Sequence, residues 1–369
     1  MNTLKKLLPL CLVLCLLVGC APEAPVAEAP AADESFTFLT SGVAPGTVVA
    51  TVNGEFDVTV EEYLFWMSLY LDTYRSQGYP IMWTAEDNFE AEFKDMILEV
   101  ASMHGFLSWH ANSLGLVLTE EDEAQVQLEI NALKDRMGED FGFWLSNMYQ
   151  NEADFAETER TMYASDMLYD YYFGEGGKHV PSEAEFADYA LRGQEIGLYN
   201  AKHILIRTVD DMRQQLSEEE CQVAYERVCE IYDRLVEMGP SEADFDKEMF
   251  EFSEDGGLVE YPGGYEFGPG EMVPEFEYGT LVLEPGEMSE IIESTFGYHI
   301  IFRLPVDKNS ARLREEVLGT LWNNWFDETQ QSLDVQTDEV WESLDISAID
   351  ELRAAQNDAY YEAKEAAAE

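Results

Sequence analysis

Capped helical segments with apolar periodicity fill most of this chain, and one block of short β-branched runs and glycine turns interrupts them near Leu198. That alternation restricts the fold to helices plus a small sheet, because period-3.6 and period-2 patterns do not interchange. Thr47 to Val52 is a β-branched run, and Asn53-Gly54 after it signals a tight turn. Thr59-x-x-Glu62 then opens an apolar helix through Tyr63, Trp66 and Tyr70 as a capping box. The spacing of Phe89, Phe93, Ile97 and Val100 predicts a second helix over roughly Glu86 to Leu114. A third runs from Thr119-x-x-Asp122 to about Met137, and a fourth from about Glu152 to Tyr172. Gly174-Glu175-Gly176-Gly177 breaks the pattern before Ser182-x-x-Glu185 caps a short fifth helix.

From Leu198 the texture changes. Leu198 to Ile206 reads as a strand, and residues 218–238 as a helix with the stripe Cys221, Ala224, Val228, Ile231, Leu235 and Met238. Ser241-x-x-Asp244 caps another short helix, and a glycine-rich stretch covers Gly256 to Gly270. Ile291-Ile292 and His299 to Phe302 read as two short strands joined around Gly297. After Pro305 the chain turns helical again, with Leu313, Val317, Leu321, Trp325 and Phe326 on one apolar face. The N-terminal helices are the expected partner of that face. The Ala/Glu-rich tail is expected to fray, and no internal repeat occurs.

Charge narrows the function. Lys and Arg number 21 against 75 Asp and Glu, a formal net charge of −54. A chain this acidic has nothing to neutralise many phosphates, which argues against nucleic acid and against electrostatic docking on anionic lipid. At 46% hydrophobic and 12% aromatic residues it still has the material for a sizeable core. The self-repulsion is expected to make salt or divalent cations stabilising.

The N-terminus reads as an address. Lys5 and Lys6 precede an apolar run from Leu7 to Val18, which is signal-peptide length and short for a membrane span. It ends Leu17-Val18-Gly19-Cys20, small residues followed by Cys, which resembles the bacterial lipobox. That resemblance implies cleavage before Cys20 and an acyl lipid such as palmitate there, on the extracytoplasmic face of the cell membrane. Residues 21–30 are Pro/Ala/Glu-rich and read as a solvated tether. Cys221 and Cys229 lie eight residues apart in a helical pattern, about 12 Å of rise, too far for a bridge.

No Walker loop, dinucleotide glycine fingerprint, HExxH, GxSxG or CxxC occurs, and the five histidines are scattered. No metal or other cofactor is expected. The informative blocks lie between residues 198 and 304. They are Ala201-Lys202-His203-Ile204-Leu205-Ile206, then Phe252-Ser253-Glu254-Asp255, then Gly263 through Phe276, then Leu283-Glu284-Pro285-Gly286-Glu287-Met288-Ser289, and last Ser294 through Ile301. In type and order they resemble the parvulin family of peptidyl-prolyl cis/trans isomerases. The segment between Gly264 and Gly270 is shorter than the glycine loop of many members.

The resemblance implies an apolar slot for a proline ring, walled by Phe267, Met272 and Phe276, with Met272 and Phe276 expected on one helical turn. It implies His203 and His299 side by side on neighbouring strands, in a hydrogen-bond chain with Asp255 and hydroxyl groups. Whether such a chain stabilises the transition state or only shapes the pocket stays open at this level. Ser294 occupies the family's hydroxyl position, with Thr295 as the alternative, and Phe296 follows in the substrate-binding group. The acidic stretch after the first strand, Asp210 to Glu220, implies no preference for phosphorylated peptides.

The whole layout resembles the PrsA/SurA-like foldases. The expected fold is α+β, a helical chaperone-like domain from N- and C-terminal segments with an inserted parvulin domain whose small, mostly antiparallel sheet is flanked by helices. The expected boundaries are 1–19 signal, 20–36 anchor and tether, 37–196 helical segment, 197–306 isomerase, 307–345 C-terminal helix and 346–369 acidic tail. The implied clients are unfolded secreted polypeptides containing Xaa-Pro, and a homodimer is compatible with an apolar helical lobe. The alternative function is a membrane-tethered holdase whose parvulin domain is weakly active or inactive. A solute-binding lipoprotein should show a doubly wound pattern, which is absent.

Overall fold

The computed structural model describes residues 42–368, apart from 80, 82, 84–88 and 240. The expected signal segment, Cys20 and the tether lie outside the described residues. The chain divides into two compact units, one running to Gly177 and resuming at Phe326, the other spanning Lys178–Trp325.

In the first unit, β1 (Val48–Val52) and β2 (Phe56–Thr59) form an antiparallel hairpin. Asn53 and Gly54 both take positive φ, 54° and 68°, which suits a type I′ turn between twisted strands. Thr59 and Glu62 make the expected reciprocal cap of α1 (Val60–Ser76). Then follow α2 (Phe89–Ser113), α3 (Glu120–Met137), α4 (Phe141–Asn147) and α5 (Glu152–Phe173). Tyr63, Leu64, Met67, Phe93, Ile97, Val126 and Phe155 are buried together in one core.

The second unit begins with α6 (Glu183–Leu191), then β3 (Tyr199–Arg207). The helices α7 (Glu218–Met238) and α8 (Glu242–Phe252) follow, then β4 (Tyr265–Phe267) and α9 (Pro274–Leu281). The strands β5 (Ile292–Ser294) and β6 (Gly297–Leu304) lead into α10 (Ala311–Ser332). The sheet order is β4-β3-β6-β5, antiparallel throughout. Alternation sorts its side chains onto two faces. Ile204, Ile206, Ile300 and Phe302 bury against Val228, Ile231 and Leu235 of α7 and Phe245 and Met249 of α8. Each such side chain contributes about 1.5–3 kcal/mol when fully buried. The opposite face carries the candidate site. The expected α+β class with a small antiparallel sheet is what forms.

The face of α10 packs, as expected, on a helix of the N-terminal half: Leu313 and Val317 bury against Phe186 and Ala190 of α6 together with Leu198 and Val306, inside the second unit. That packing draws α6 into this compact unit, which starts near residue 178. Two expectations change. First, the C-terminal segment joins the first unit through a strand, β7 (Val335–Thr337), which pairs antiparallel with β1. Second, the tail does not fray over its described length. After α11 (Glu339–Ser343), α12 runs continuously from Ile346 to Ala368. Ile346, Ile349 and Arg353 bury at helical spacing, and the Tyr360 ring stacks on Phe143 with centroids 3.7 Å apart. The Ala/Glu composition masks this short apolar stripe. In α7, Met238 at the end of the predicted stripe is half exposed.

Candidate active site

Strand register builds the site. Residues directly opposite on paired strands share a face. His203 on β3 lies opposite Ile301 on β6, and Leu205 lies opposite His299, so the imidazoles are diagonal neighbours on one face. Their Nδ1 atoms are 3.0 Å apart. β5 places Ile292 opposite His299, so Ser294, two residues on, falls on the same face. The Ser294 hydroxyl lies 2.7 Å from His299 Nε2 and accepts from the Phe296 N–H at 3.1 Å.

Asp255 reaches this row from the segment after α8. The Ser253 hydroxyl accepts from the Leu205 N–H, and the Glu254 N–H donates to the Leu205 carbonyl, which holds the segment alongside β3. That is the physical reason for a Ser two residues before the Asp. Asp255 Oδ1 then accepts from the Gly257 N–H at 3.1 Å, while Oδ2 sits 3.0 Å from His203 Nε2 and accepts from the Tyr265 hydroxyl at 2.5 Å.

Charge states follow from these partners. Burial pushes the Asp255 carboxyl up, but the hydrogen bonds from His203, Tyr265 and Gly257 outweigh it and hold it well below the usual carboxylate range. Burial, followed by repulsion from His203, lowers His299 to about 3, so it is neutral near pH 7. An ionised Asp255 only accepts, so His203 carries its proton on Nε2. The hydrogen-bond chain then has one consistent direction. Ser294 O–H donates to His299 Nε2, His299 Nδ1–H donates to His203 Nδ1, and His203 Nε2–H donates to Asp255.

An apolar cluster lies beside the chain. Phe267 and Phe276 are buried with Tyr199, Ala201 and Ile301, and Met272, Val273 and Ile292 pack on them half-buried. Phe276 presents its ring edge-on to both imidazoles, at 5.1 Å from His203 and 5.8 Å from His299, and lies 5.7 Å from Phe267. Two placements differ from expectation. Met272 is not on a shared helical turn with Phe276, because α9 starts at Pro274 with Val273 as its cap; a bend before the helix carries Met272 onto the same cluster. Phe296 sits at the β5–β6 turn with the Arg213 guanidinium 5.7 Å from its ring, outside the Phe267–Phe276 packing. Ser294, and not Thr295, supplies the hydroxyl to the histidine. Tyr265 went unnoticed in the sequence, although an aromatic directly after Gly263-Gly264 was a signal for it.

Residues 203–303 match the family model of the rotamase, or PPIC-type PPIase, domain. The chain carries a parvulin domain. The match takes in β4, β5, the second half of β3 and all of β6 but its last residue, together with both histidines and Asp255. The parvulin-bearing chain is 29% identical over 184 residues to foldase protein PrsA 4 of Bacillus cereus, an alignment covering 48% of this chain and 53% of that relative. It is 30% identical over 154 residues to chaperone SurA of Ralstonia nicotianae, covering 37% and 27%. The chain thus spans about half the length of the first relative and about a quarter of the second. A crystal structure of a peptidylprolyl isomerase (PrsA) from Bacillus anthracis is 19% identical, with a TM-score of 0.24, covering 71% of this chain and 97% of that one.

Proposed function

We propose that this protein is a peptidyl-prolyl cis/trans isomerase and folding chaperone, with the row Ser294–His299–His203–Asp255 and the slot of Phe267, Met272 and Phe276 as its isomerase site. The observation that carries the reading is an ionised carboxylate, held only by neutral groups or a histidine, next to an apolar slot. Rotation about an Xaa-Pro amide faces a barrier of about 18–20 kcal/mol because resonance is lost at the twist. No bond breaks, so catalysis needs only tighter binding of the twisted amide than of either planar isomer. Resonance places negative charge on the planar carbonyl oxygen, and twisting withdraws it. A carboxylate facing that oxygen therefore disfavours the planar isomers, while the apolar slot grips the proline ring.

A protease-coupled isomerisation assay on an Xaa-Pro peptide tests this. Wild type should accelerate the slow phase, and Met272→Ala should lose about tenfold or more through the thinned pocket wall. No acceleration by wild type would favour the membrane-tethered holdase. Phosphorylated peptides should not react faster, since Asp210 and Asp211 crowd the loop after β3 and Arg207 is already bonded to Asp211 and the Asp210 carbonyl.

The clients we propose are unfolded secreted polypeptides, met outside the cytoplasm. The relatives' names, foldase and chaperone, support this, and so does the signal-like N-terminus. No helix among the described residues is long and apolar enough to cross a membrane. A lipid on Cys20 would supply the anchor, and Cys20→Ala should move the protein from the membrane fraction to the medium. The proposed division of labour follows the expected domains, with the helical segment binding clients and the parvulin unit turning their prolines.

A further inference from the structure

The strand after Gly264 puts a further group beside Asp255. Tyr265 opens β4 directly after Gly264 and lies opposite Ala201 on β3. Ala201 and His203 share a face, so Tyr265 points onto the His203 face as its diagonal neighbour. The backbone can pass this close only at a glycine. A Cβ on Gly264 would come within 2.8 Å of the Ala201 carbonyl oxygen, and Gly264 has a φ of +103°. The Tyr265 ring stands edge-on to His203 at 5.7 Å, and its hydroxyl donates to Asp255 Oδ2. A second glycine keeps room for that hydroxyl, since a Cβ on Gly257 would fall 2.1 Å from it. The same Gly257 donates its N–H to Asp255 Oδ1. Backbone and side chains thus converge on one carboxylate from three directions.

We propose that Tyr265 is a positioning residue of the isomerase, whose phenol holds the Asp255 carboxylate against His203 and so fixes the direction of the hydrogen-bond chain. The proposal rests on the isomerase reading given above. The phenol acts as a donor that does not compete for the negative charge. Burial, and then the bond to Asp255, raise Tyr265 far above the ordinary phenol range, so it stays protonated. The groups facing Asp255 are His203 from β3, His299 behind it from β6, Tyr265 from β4 and the Gly257 N–H from the turn after α8. The Tyr261 ring packs tilted against Tyr265 at 5.1 Å, and Glu260 adds negative charge near the phenol. Without the phenol, Asp255 keeps only His203 and Gly257 as donors, and its ionisation moves up toward the ordinary carboxylate range.

The test uses the full chain and Tyr265→Phe, which keeps the ring. Two readouts are taken, the pH profile of kcat/KM on an Xaa-Pro peptide and the carbon-13 carboxyl titration of Asp255, identified by its absence in Asp255→Asn. The expected result is that both the acid limb of activity and the Asp255 midpoint rise by about one pH unit, the size of a lost hydrogen bond to a charged group. Gly257→Ala, which displaces the hydroxyl from the other side, should shift the limb in the same direction. An unmoved midpoint in Tyr265→Phe overturns the proposal, leaving the phenol as packing. A raised midpoint with an unmoved acid limb overturns its role in catalysis. If wild type shows no isomerase activity, the isomerase reading fails and takes the positioning role with it, while the titration still reports whether the phenol holds the carboxylate.

Discussion

Asp350 in the first unit and Asp255 in the second are both withdrawn from solvent, and their partners differ in charge. The Asp350 side chain is 3% exposed and accepts from the Arg75 guanidinium at 2.6 Å and from Trp83 Nε1 at 3.0 Å. Beside it the buried Arg353 bonds Asp72 through both of its terminal nitrogens. Asp255 is 17% exposed on its side chain and has no guanidinium or ammonium partner, only His203, a phenol and a backbone N–H. Where a carboxylate only has to tie α12 to α1, full countercharges cancel its field. At the candidate site, hydrogen bonds from a histidine, a phenol and a backbone N–H hold the carboxylate ionised in place of a guanidinium. The difference separates an ion-pair network from a hydrogen-bonded one without reference to any motif.

The strongest way to break that contrast is to remove a countercharge. Arg353→Leu should leave Asp72 with only the Arg75 guanidinium at 3.6 Å and destabilise the first unit by about 3 kcal/mol, the low end of the cost of breaking a buried ion pair. Calorimetry should show one transition lowered, with kcat/KM per folded molecule unchanged. If isomerisation fell in parallel, the two networks would not be separable.

Asp255→Asn is the opposite case. It keeps the shape and removes the charge, so kcat/KM should fall by about a hundredfold, the scale of one preorganised electrostatic group. The melting transition of the second unit should move little. A large stability loss with little kinetic loss would make Asp255 a structural residue like Asp350.

How much of this was legible in advance depended on whether a pattern was local. The caps at Thr59, Thr119, Ser182 and Ser241 form as read, because each needs only residues three apart. His203, Asp255, His299 and Ser294 were legible through resemblance, and sheet register explains why they meet. Tyr265 was not, since its role depends on cross-strand pairing with Ala201 and on the space left at Gly257. The anchoring of α12 was hidden for a similar reason. Its buried positions are Ile346, Ile349 and Arg353, and an arginine does not register as apolar until Asp72 is placed beside it. The packing of α10 on a helix of the N-terminal half was legible because the apolar face carrying Leu313 and Val317 must be covered.

Acid should separate the units next. Burial lowers His299 to about 3, below its ordinary value of 6.5. Between those values the unfolded chain takes up a proton that the folded chain refuses. Stability is therefore complete above about pH 6.5 and falls with acid by up to about 1.4 kcal/mol per pH unit. In the first unit, burial lowers His104 to about 4, with the same sign. There, however, burial and then the nearby Glu129 raise Glu159 to about 7, so the folded chain binds a proton first and gains stability as pH falls toward 4.5. The two nearly cancel over that interval, so the second unit should lose stability first on mild acidification. Unit-resolved melts across this range test it, and His299→Gln should flatten the slope of the second unit alone.

The smallest effect belongs to Ser294→Ala, and it tests whether the hydrogen-bond chain carries influence along its length. The change leaves His299 Nε2 without its donor and the Phe296 N–H without its acceptor. A net hydrogen bond contributes about 0.5–1.5 kcal/mol, so the stability cost should be near 1 kcal/mol. Ser294 reaches Asp255 only through two imidazoles. If the histidines merely hold the carboxylate in place, the loss of kcat/KM should stay within about tenfold, because His203 keeps its direct bond to Asp255 whatever happens at the far end. A loss as large as that of Asp255→Asn would mean that the four groups act as one unit, as catalytic sets do when single deletions are non-additive. The ion network around Asp350 offers no such transmission, because each of its charges is neutralised at the point where it lies.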